Sequence, residues 1–244
     1  MAPARRSSPR TLAVDIGGSG IKTIVLDAAG RPVTDRQRVD TPSPATPAAV
    51  LGAITGLARS QGRFDRVSVG FPGVVRRGVT GTAFNLGPGW VGYDLDRALT
   101  TALGRPVRCC NDADVQGLGV VKGRGIELVI TLGTGFGSSL FLEGRLVPNL
   151  QLGHHAAWKN KTYEDELGLK ALKKAGKKKW NRRLRKAIET LEALFNFDVL
   201  YIGGGNARLV EGKLPPRAKI VSNDAGLLGG IALWHGKEGH YGVR

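Results

Sequence analysis

An α/β protein with two similar halves is the fold class that this 244-residue sequence predicts. Stretches with strand-like alternation of apolar residues are separated by stretches with helical spacing. In addition, a strand, a glycine-rich turn and a second strand occur twice, in residues 11–27 and again in residues 126–147. Each copy opens a βββαβαβα-type series, so we expect two related halves that enclose a cleft.

The first hairpin has the composition of an anion site. Its turn consists of Gly17, Gly18, Ser19 and Gly20. Glycine allows positive φ and carries no Cβ, so backbone N–H groups can approach a phosphate. Asp15 would hold Mg²⁺ through water, and Lys22 would neutralise phosphate as a point charge. An ordinary surface hairpin is the alternative, whereas a P-loop is excluded by its missing motif. A dinucleotide fingerprint is disfavoured because the third glycine is missing and a strand follows.

The second hairpin repeats this pattern with hydroxyl groups in place of a cation. Gly133, Gly135 and Gly137 correspond to the glycines of the first turn, while Thr131 and Thr134 supply hydroxyls. A later strand, residues 197–202, ends in Gly203, Gly204, Gly205 and Asn206. Such a loop allows a flat or charged group to lie close to the backbone.

Polar residues follow a predicted strand at residues 106–110, in the sequence Asn111-Asp112-Ala113-Asp114. In α/β sheets, chemistry is commonly placed at the carboxyl end of a strand. Asp112 is therefore a candidate general base for a hydroxyl group. The alternative is that Asn111 or Asp112 only caps the following helix, predicted at residues 115–121.

The remaining elements follow from periodicity and from Gly and Pro punctuation. In the first half we expect a third strand in residues 31–39, helices at 48–60 and 94–103, and a strand at 66–75. In the second half we expect helices at 163–174 and 179–195, a strand at 218–221 and a closely packed helix at 225–234. The predicted organisation is a disordered basic tail (1–10), an N-terminal lobe (11–110), a C-terminal lobe (111–222) and a C-terminal helix that packs back between the lobes (223–244).

The formal net charge of +16, from 36 basic and 20 acidic residues, indicates a polyanionic partner. Much of it lies in residues 159–186, where Trp180 stands among cations. The candidate polyanion track consists of Lys177, Lys178, Lys179, Arg182 and Arg183. A solvated helix face is the alternative. The apolar runs are too short for a membrane span, and Cys109 and Cys110 are adjacent, so we expect reduced thiols in a cytoplasmic protein.

The ordered motifs resemble one known family. DIGGSGIK, VGFPGVV, FNLGPGW, NDAD, TLGTGFGSS, LGH and YIGGGN stand in the order found in the repressor/ORF/kinase (ROK) sugar kinases. The sequence is most similar to their polyphosphate glucokinase branch. The resemblance covers about residues 12–233 and implies the two-lobed actin-like (ribonuclease H-like) ATPase fold. It also implies a dimeric enzyme that phosphorylates a sugar, most simply the 6-hydroxyl of glucose.

The resemblance assigns roles to individual residues. Asp112 would deprotonate the sugar hydroxyl, and Asp15 would hold Mg²⁺ through water. The turn of residues 17–20 with Lys22 would line the phosphate site, and Thr131, Gly133, Thr134 and Gly135 would hold the phosphoryl donor. Gly203, Gly204 and Gly205 would lie at adenine if ATP is used. The sugar would contact Gly73, Asn85, Asn111, Asp112, Gln151 and His154.

Three departures from the family pattern affect these expectations. Gln151 replaces the Glu of the usual Glu-x-Gly-His motif, and an amide both donates and accepts hydrogen bonds where a carboxylate only accepts. This leaves the natural sugar open. The cysteine cluster that binds zinc in other members is missing, as it is in the polyphosphate branch, so no zinc is expected. No helix-turn-helix precedes Leu12, which disfavours the repressor members as a guide.

Two further functions remain alternatives at this point. The high charge and Gln151 are compatible with a non-catalytic sugar- or polyanion-binding regulator, although Asp15, Asp112 and both glycine turns argue against it. A nucleic-acid binder is disfavoured because no binding motif is present. Polyphosphate and ATP both remain candidate donors: the basic run favours polyphosphate, and the glycines at residues 203–205 are compatible with ATP.

Overall fold

A computed structural model describes residues 8–83, 86–222, 225–235 and 241 of the chain. The chain divides after Cys110 into two compact units, and each has its own five-stranded sheet. No helix within the described ranges is both long enough and apolar enough to cross a membrane.

Ten regular elements occur among the described residues of the first unit. They are β1 (Thr11–Ile16), β2 (Ile21–Leu26), β3 (Gln37–Val39), α1 (Pro47–Ser60), β4 (Arg66–Phe71), β5 (Val75–Arg76), β6 (Val79–Thr80), β7 (Tyr93–Asp94), α2 (Leu95–Leu103) and β8 (Val107–Asn111). The main sheet has the order β3-β2-β1-β4-β8, with β1 antiparallel to β2 and parallel to β4. Strands β5, β6 and β7 form a small separate sheet.

Local signals in the sequence account for both helices of this unit. Thr46 caps α1 by accepting a hydrogen bond from the Ala49 amide, and proline follows at the first helical position. Asp94 caps α2 in the same way, and Gly104 ends that helix in the left-handed conformation at φ 61°. The helices bury their apolar positions against the sheet, together with Trp90, whose indole N–H donates to the Ala45 carbonyl at 2.8 Å.

The second unit contains the longest helix among the described residues, Lys177–Phe195. Its elements are α3 (Asp112–Leu118), β9 (Ile126–Leu132), β10 (Phe136–Leu142), β11 (Arg145–Val147), a 3-10 helix (Leu152–His154), β12 (Ala156–Trp158), β13 (Lys161–Thr162), α4 (Tyr163–Leu167), α5 (Leu169–Ala175), α6 (Lys177–Phe195), β14 (Val199–Gly203), a second 3-10 helix (Ala207–Leu209), β15 (Ala218–Ile220) and α7 (Ala225–Ala232).

The sheet of the second unit repeats the strand order of the first. Its order is β11-β10-β9-β14-β15, with β9 antiparallel to β10 and parallel to β14. The predicted repeat is therefore confirmed at the level of topology, and so is the α/β fold class. The core of this unit lies between the sheet and α6, where Trp180, Leu184 and Ile188 are almost completely buried.

Several predicted boundaries differ from the structure. The third strand is short, because only residues 37–39 pair with β2, and Pro32 forms an isolated bridge to Leu26. The predicted helix 163–174 is broken at Gly168, which has an extended backbone, into α4 and α5. Helix α3 starts at Asp112 and not at Val115, because Asn111 caps it. Between β14 and β15 there is only a 3-10 turn.

Helix α7 packs on α3, as its small residues suggested. A Cβ on Gly229 would collide with the carbonyl oxygen of Val115 and lie 2.8 Å from the Gly119 nitrogen. No side chain fits at this contact, so the glycine sets how closely the two helices approach. The expectation that residues 223–244 pack between the lobes stays a prediction, since Asn223, Asp224 and much of the terminus lie outside the described residues.

Both cysteines are buried thiols at the end of β8, and no disulfide joins them. Burial raises the pKa of the Cys109 thiol well above its usual range, and the nearby Asp96 raises it further. A thiol held neutral in this way is a poor nucleophile, so Cys109 serves packing.

Candidate functional site

The first glycine-rich turn is a closed loop with a row of charges beside it. The Gly17 amide donates to the Gly20 carbonyl at 3.0 Å. Next to the turn, Asp15 and Lys22 are register partners on β1 and β2, and the Lys22 Nζ lies 3.0 Å from the Asp15 Oδ2. Both side chains are about one-third exposed or less, at 27% for Asp15 and 32% for Lys22. The predicted carboxylate and cation are therefore brought together at the turn.

Arg38 extends this row and was missed by sequence reasoning. It is the register partner of Lys22 on β3, and its Nη2 donates to the Ser19 carbonyl at 2.8 Å. A Cβ on Gly20 would lie 2.6 Å from the Arg38 Nε, so the guanidinium covers the turn where that glycine leaves room. The guanidinium also pairs with Asp40 at 2.9 Å. The pairing of β2 with β3 places Arg38 opposite Lys22. Sequence reasoning missed Arg38 because this register cannot be inferred from the sequence.

Asn111 and Asp112 lie at the junction of β8 and α3. The Asn111 Oδ1 accepts hydrogen bonds from the amides of Ala113 at 2.9 Å and Asp114 at 3.1 Å, so Asn111 is the helix cap. The Asp112 Oδ1 accepts from the Ala113 amide at 2.8 Å, and its side chain is half-buried. Capping by Asn111 leaves Asp112 as the first helical residue, with a side chain that is only half-buried.

Asp114 is completely buried and holds a neighbouring loop. Its Oδ2 accepts a hydrogen bond from the Asn149 amide at 2.9 Å. Asn149 precedes the predicted sugar segment, so this buried carboxylate fixes the start of that segment relative to α3. The two aspartates of the NDAD motif are therefore placed differently: Asp112 is accessible, and Asp114 is structural.

The second glycine-rich turn contacts the glycine loop after β14. The Gly133 amide donates to the Gly135 carbonyl at 3.1 Å, which closes the turn as in the first unit. The Asn206 Nδ2 then donates to the Gly133 carbonyl at 3.0 Å. Gly204 has φ 86°, and a Cβ there would lie 2.5 Å from the Leu132 carbonyl oxygen. The predicted donor loop and the predicted nucleotide loop are thus brought together.

Glu164, the second residue of α4, supports the same turn and was also missed. Its Oε2 accepts from the Phe136 amide at 3.2 Å, and a Cβ on Gly135 would clash with that oxygen. A Cβ on Gly153 would lie 3.8 Å from it. The carboxylate therefore lies between the turn and the 3-10 helix that carries His154. The sequence signal was a capping box, in which Thr162 and Asp165 fix the start of α4.

The residues predicted to contact sugar have different surroundings. Gln151 is half-buried at the start of the 3-10 helix, and His154 is exposed at its end. Gly73 is buried against the Thr82 carbonyl, where a Cβ would clash, so its lack of a side chain has a packing reason. Asn85 lies outside the described residues.

The basic run surrounds a cleft of about 390 Å³ at the start of α6. Its lining consists of Ala175, Gly176, Lys177, Lys178, Lys179, Arg182 and Arg185. Four of the five predicted track residues are there. Arg183 is not in this lining: its Nε lies 2.8 Å from the buried Glu166 Oε2. Trp180 is fully buried, and its indole N–H donates to the Leu167 carbonyl at 2.8 Å.

No group of three or more His, Cys, Asp or Glu side chains that could hold a metal ion occurs among the residues described. A metal that relies on one protein carboxylate and on substrate oxygens would leave no such group. Mg²⁺ commonly binds in that way, with retained water molecules and one or two carboxylates. Asp15, beside the glycine-rich turn that is predicted to bind an anion, fits this donor set.

Comparison with known proteins agrees with these features. The ROK family profile matches residues 11–160. The polyphosphate glucokinase of Mycobacterium leprae (strain TN) is 32% identical over 241 residues, covering 91% of this chain and 74% of the relative. The crystal structure of the inorganic polyphosphate/ATP-glucomannokinase from Arthrobacter sp. strain KM has a TM-score of 0.84 and 35% identity, and the match covers 94% of this chain and 100% of that one.

A more distant structure shows the same fold. The ROK family glucokinase from Streptomyces griseus, in complex with glucose and AMPPNP, has a TM-score of 0.74 at 21% identity, over 92% of this chain and 98% of that chain. The predicted actin-like fold is confirmed by these neighbours. The profile match spans more than half of the sequence, and the resemblance inferred from the motifs is thereby confirmed: the chain belongs to the ROK family.

Proposed function

We propose that this protein is a sugar kinase that transfers a phosphoryl group from polyphosphate or ATP to a hexose hydroxyl, with the 6-hydroxyl of glucose as the acceptor. The observation that carries the proposal is the repeated glycine turn, closed in each unit by an N–H···O hydrogen bond from its first glycine, Gly17 to Gly20 and Gly133 to Gly135. Phosphoryl transfer relies mainly on positioning and on stabilisation of charge, and two anion-compatible turns with an accessible carboxylate supply both.

Asp112 is assigned as the general base. The sugar hydroxyl oxygen attacks the terminal phosphorus of the donor, and its proton passes to the Asp112 carboxylate. The P–O bond to the rest of the donor breaks, and the shortened polyphosphate or ADP leaves with that bonding pair. Asp112 suits this role because its carboxylate is half-exposed at the first residue of α3, whereas Asp114 is buried and committed to Asn149.

Charge on the donor would be offset by the first unit. Lys22 and Arg38 form a cationic row beside the turn of residues 17–20, and the turn supplies backbone N–H groups. Asp15 would hold Mg²⁺ through water. When bound, Mg²⁺ supplies positive charge that stabilises the phosphate oxygens.

The second unit would hold the other groups. Thr131, Thr134 and the turn of residues 133–135 would contact the donor, and the loop of residues 203–205 would contact adenine when ATP is used. Asn111, Gln151, His154 and Gly73 are proposed to contact the sugar, as is Asn85. Glu164 adds a carboxylate near Gly153 in a protein whose motif carries Gln151. We also propose that the enzyme acts as a cytoplasmic homodimer, the state implied by its family.

The substitution Asp112→Asn tests this function. It removes the base while keeping the size of the side chain, so turnover should fall by about 10²- to 10⁴-fold. Glucose affinity, measured by calorimetry, should stay within about threefold, which is well under 1 kcal/mol. Asp35→Asn, at an exposed carboxylate of the first unit, is the matched control and should keep full turnover.

The same assay separates the enzyme from the non-catalytic regulator. Wild-type protein would be given Mg²⁺, glucose and either polyphosphate or ATP, and sugar phosphate would be quantified. Product with either donor supports the kinase. Sugar binding without product from glucose, mannose or N-acetylmannosamine would favour the regulator. Undiminished turnover in the Asp112→Asn variant would remove Asp112 from its proposed role.

A further inference from the structure

The short hairpin that follows His154, formed by β12 and β13, depends on the rest of its unit for stability. The two strands form a sheet of their own, and a two-stranded hairpin is at best marginally stable in water. Its turn holds Lys159 and Asn160 at φ 54°, a left-handed conformation that asparagine tolerates but that is unfavourable for lysine. Contacts from outside the hairpin are therefore needed to keep it in place.

One buried carboxylate in α4 supplies such contacts. The Glu166 side chain is 4% exposed, and its Oε2 accepts a hydrogen bond from the Trp158 indole N–H at 3.1 Å. The Lys161 Nζ lies 3.5 Å from the Glu166 Oε1. Because Trp158 ends β12 and Lys161 begins β13, the carboxylate is connected to both strands of the hairpin.

Helix α6 neutralises this carboxylate and holds the hairpin from a second direction. The Arg183 Nε lies 2.8 Å from the Glu166 Oε2, and the arginine side chain is only 19% exposed, so the ion pair is largely shielded from water. The Lys186 Nζ lies 4.9 Å from the centroid of the Trp158 ring, a cation–π contact. Trp158 is therefore held by an anion at its N–H edge and by a cation over its ring. We refer to one set of these residues as the Glu166 clip: Glu166, Trp158, Lys161 and Arg183.

The hairpin is continuous with the 3-10 helix that carries His154. The His155 amide donates to the Leu152 carbonyl at 3.0 Å, and the His155 carbonyl accepts from the Tyr163 amide at 3.2 Å, just after the hairpin. At the other end of the 3-10 helix, the Leu152 amide donates to the Ser138 Oγ of β10 at 3.2 Å. His154 thus lies between one end that is anchored to the main sheet and one end that is anchored through the hairpin.

We propose that the Glu166 clip is a positioning device for sugar binding: it holds the hairpin, and the hairpin in turn fixes His154. Glu166 is a positioning residue and not a sugar ligand, because its buried carboxylate is committed to Trp158 and Arg183. The inference rests on the proposed function, which places His154 at the sugar. When the hairpin is loose, His154 is in place in only a fraction of the molecules, and the apparent affinity for sugar falls by that fraction.

The substitution Glu166→Gln tests this role in the full-length protein. It keeps the size of the side chain but removes the charge that holds Arg183 and Lys161. The KM for glucose should rise by about three- to tenfold, the equivalent of one lost hydrogen bond, while kcat and the KM for the phosphoryl donor stay within about twofold. A role in overall stability alone would instead lower the amount of active enzyme, so the apparent kcat would fall and the KM for glucose would not move.

Glu127→Gln is the matched control, because Glu127 is another buried glutamate of the second unit. It is 1% exposed at the start of β9, and it accepts hydrogen bonds from the Tyr201 hydroxyl at 2.9 Å and the Gly123 amide at 2.7 Å. Its loss should lower the midpoint of denaturant unfolding but leave the KM for glucose within about twofold. An equal rise in the KM for glucose in the Glu166→Gln and Glu127→Gln variants would overturn the proposal.

The Trp158 indole N–H provides a direct readout of the clip by NMR. Its signal is identified by its absence in Trp158→Phe, and the Trp180 indole, which is fully buried and donates to the Leu167 carbonyl, is the internal reference. In Glu166→Gln, the Trp158 N–H should exchange with solvent about tenfold faster or more, while the Trp180 N–H is unchanged. Trp158→Phe keeps the Glu166 ion pairs and should itself raise the KM for glucose by about two- to fivefold, which keeps the proposal testable if Glu166→Gln does not fold.

Binding of sugar without a donor separates this inference from the kinase assignment. In calorimetry, the glucose Kd should rise in Glu166→Gln by the same factor as the KM, and this measurement needs no turnover. A wild-type protein that forms no sugar phosphate, but whose glucose binding weakens in Glu166→Gln, would refute the kinase and support the clip. An active kinase with the same KM for glucose in wild type, Glu166→Gln and Trp158→Phe would refute the clip alone. Wild-type protein that binds neither glucose nor mannose would overturn both.

Discussion

The two glycine-rich turns share a backbone but differ in chemistry. In both units the turn joins the central antiparallel pair of a sheet with the same strand order, and an N–H···O bond of 3.0 or 3.1 Å closes it. The first turn is flanked by the charged side chains of Asp15, Lys22 and Arg38. The second is held by Glu164 and Asn206, and it carries the hydroxyls of Thr131 and Thr134.

We expect this difference to divide one task between the two units. A turn with adjacent cations can neutralise phosphate charge, whereas a turn supported by a carboxylate and an amide offers an anion mainly backbone N–H groups and neighbouring hydroxyls. In this interpretation the topology supplies the same opening for an anion twice. The side chains on the neighbouring strands and helices then decide which opening carries the charge.

Among the variants that compare the two units, the largest expected effect comes from removing the cation of the first turn. Lys22→Met deletes the ammonium 3.0 Å from Asp15 and keeps the length of the side chain. We expect kcat/KM to fall by about 10²- to 10³-fold, the usual cost of one preorganised electrostatic group. The comparison variant, Thr134→Val in the second turn, should lose less than about tenfold. Steady-state kinetics with each donor gives kcat/KM for both variants. Equal losses of kcat/KM would contradict the proposed division of roles between the two turns.

A stability effect should follow at the loop that supports the second turn. Gly204→Ala forces a side chain onto φ 86° and against the Leu132 backbone, so unfolding free energy should fall by about 2 kcal/mol. Gly205→Ala is the matched control, because its Cβ would meet nothing within 4 Å. Denaturant unfolding measures the stability of the Gly204→Ala and Gly205→Ala variants. Similar midpoints would show that the loop accommodates a side chain at position 204 without strain.

The smallest expected effect is a loss of stability at alkaline pH that arises in the sheet of the second unit. Burial raises the pKa of Tyr201 to about 12, and its hydrogen bond to Glu127 adds to the shift. The folded state therefore favours the neutral phenol, and this contribution to stability is present below pH 10 and is lost as the pH rises through about 12. Strand β4, which has the matching place in the first sheet, contains no tyrosine.

The variant Tyr201→Phe makes this pH effect measurable. Alkaline unfolding followed by circular dichroism should show a flatter loss of stability above pH 10 in the variant than in the wild type. The change Tyr93→Phe in the first unit would not serve as a control, since Tyr93 is partly buried and packs against Trp90. If the wild type and Tyr201→Phe respond identically to alkali, Tyr201 does not carry the titration.

The sequence predicted the elements that depend on local chemistry. The two hairpins and the helices α1, α2 and α6 follow from periodicity and from the positions of Gly and Pro. Arg38 and Glu164 could not be predicted, because each reaches its turn through tertiary pairing: Arg38 through the register of β3 with β2, and Glu164 through the packing of α4 near β10. The density of cations in the basic run is visible in the sequence. Which of its residues line the cleft and which lie in the core depends on which face of α6 is buried.

The glycine contact between α7 and α3 has a consequence for how the protein can be handled. A helix of seven residues has little stability on its own, so α3 depends on its neighbours to stay formed. Gly229 lets the last helix lie directly on the Val115 carbonyl, three residues after the proposed base. Helix α7 thus supports α3 at the start of the second unit, and a truncation that removes α7 would disturb the position of Asp112.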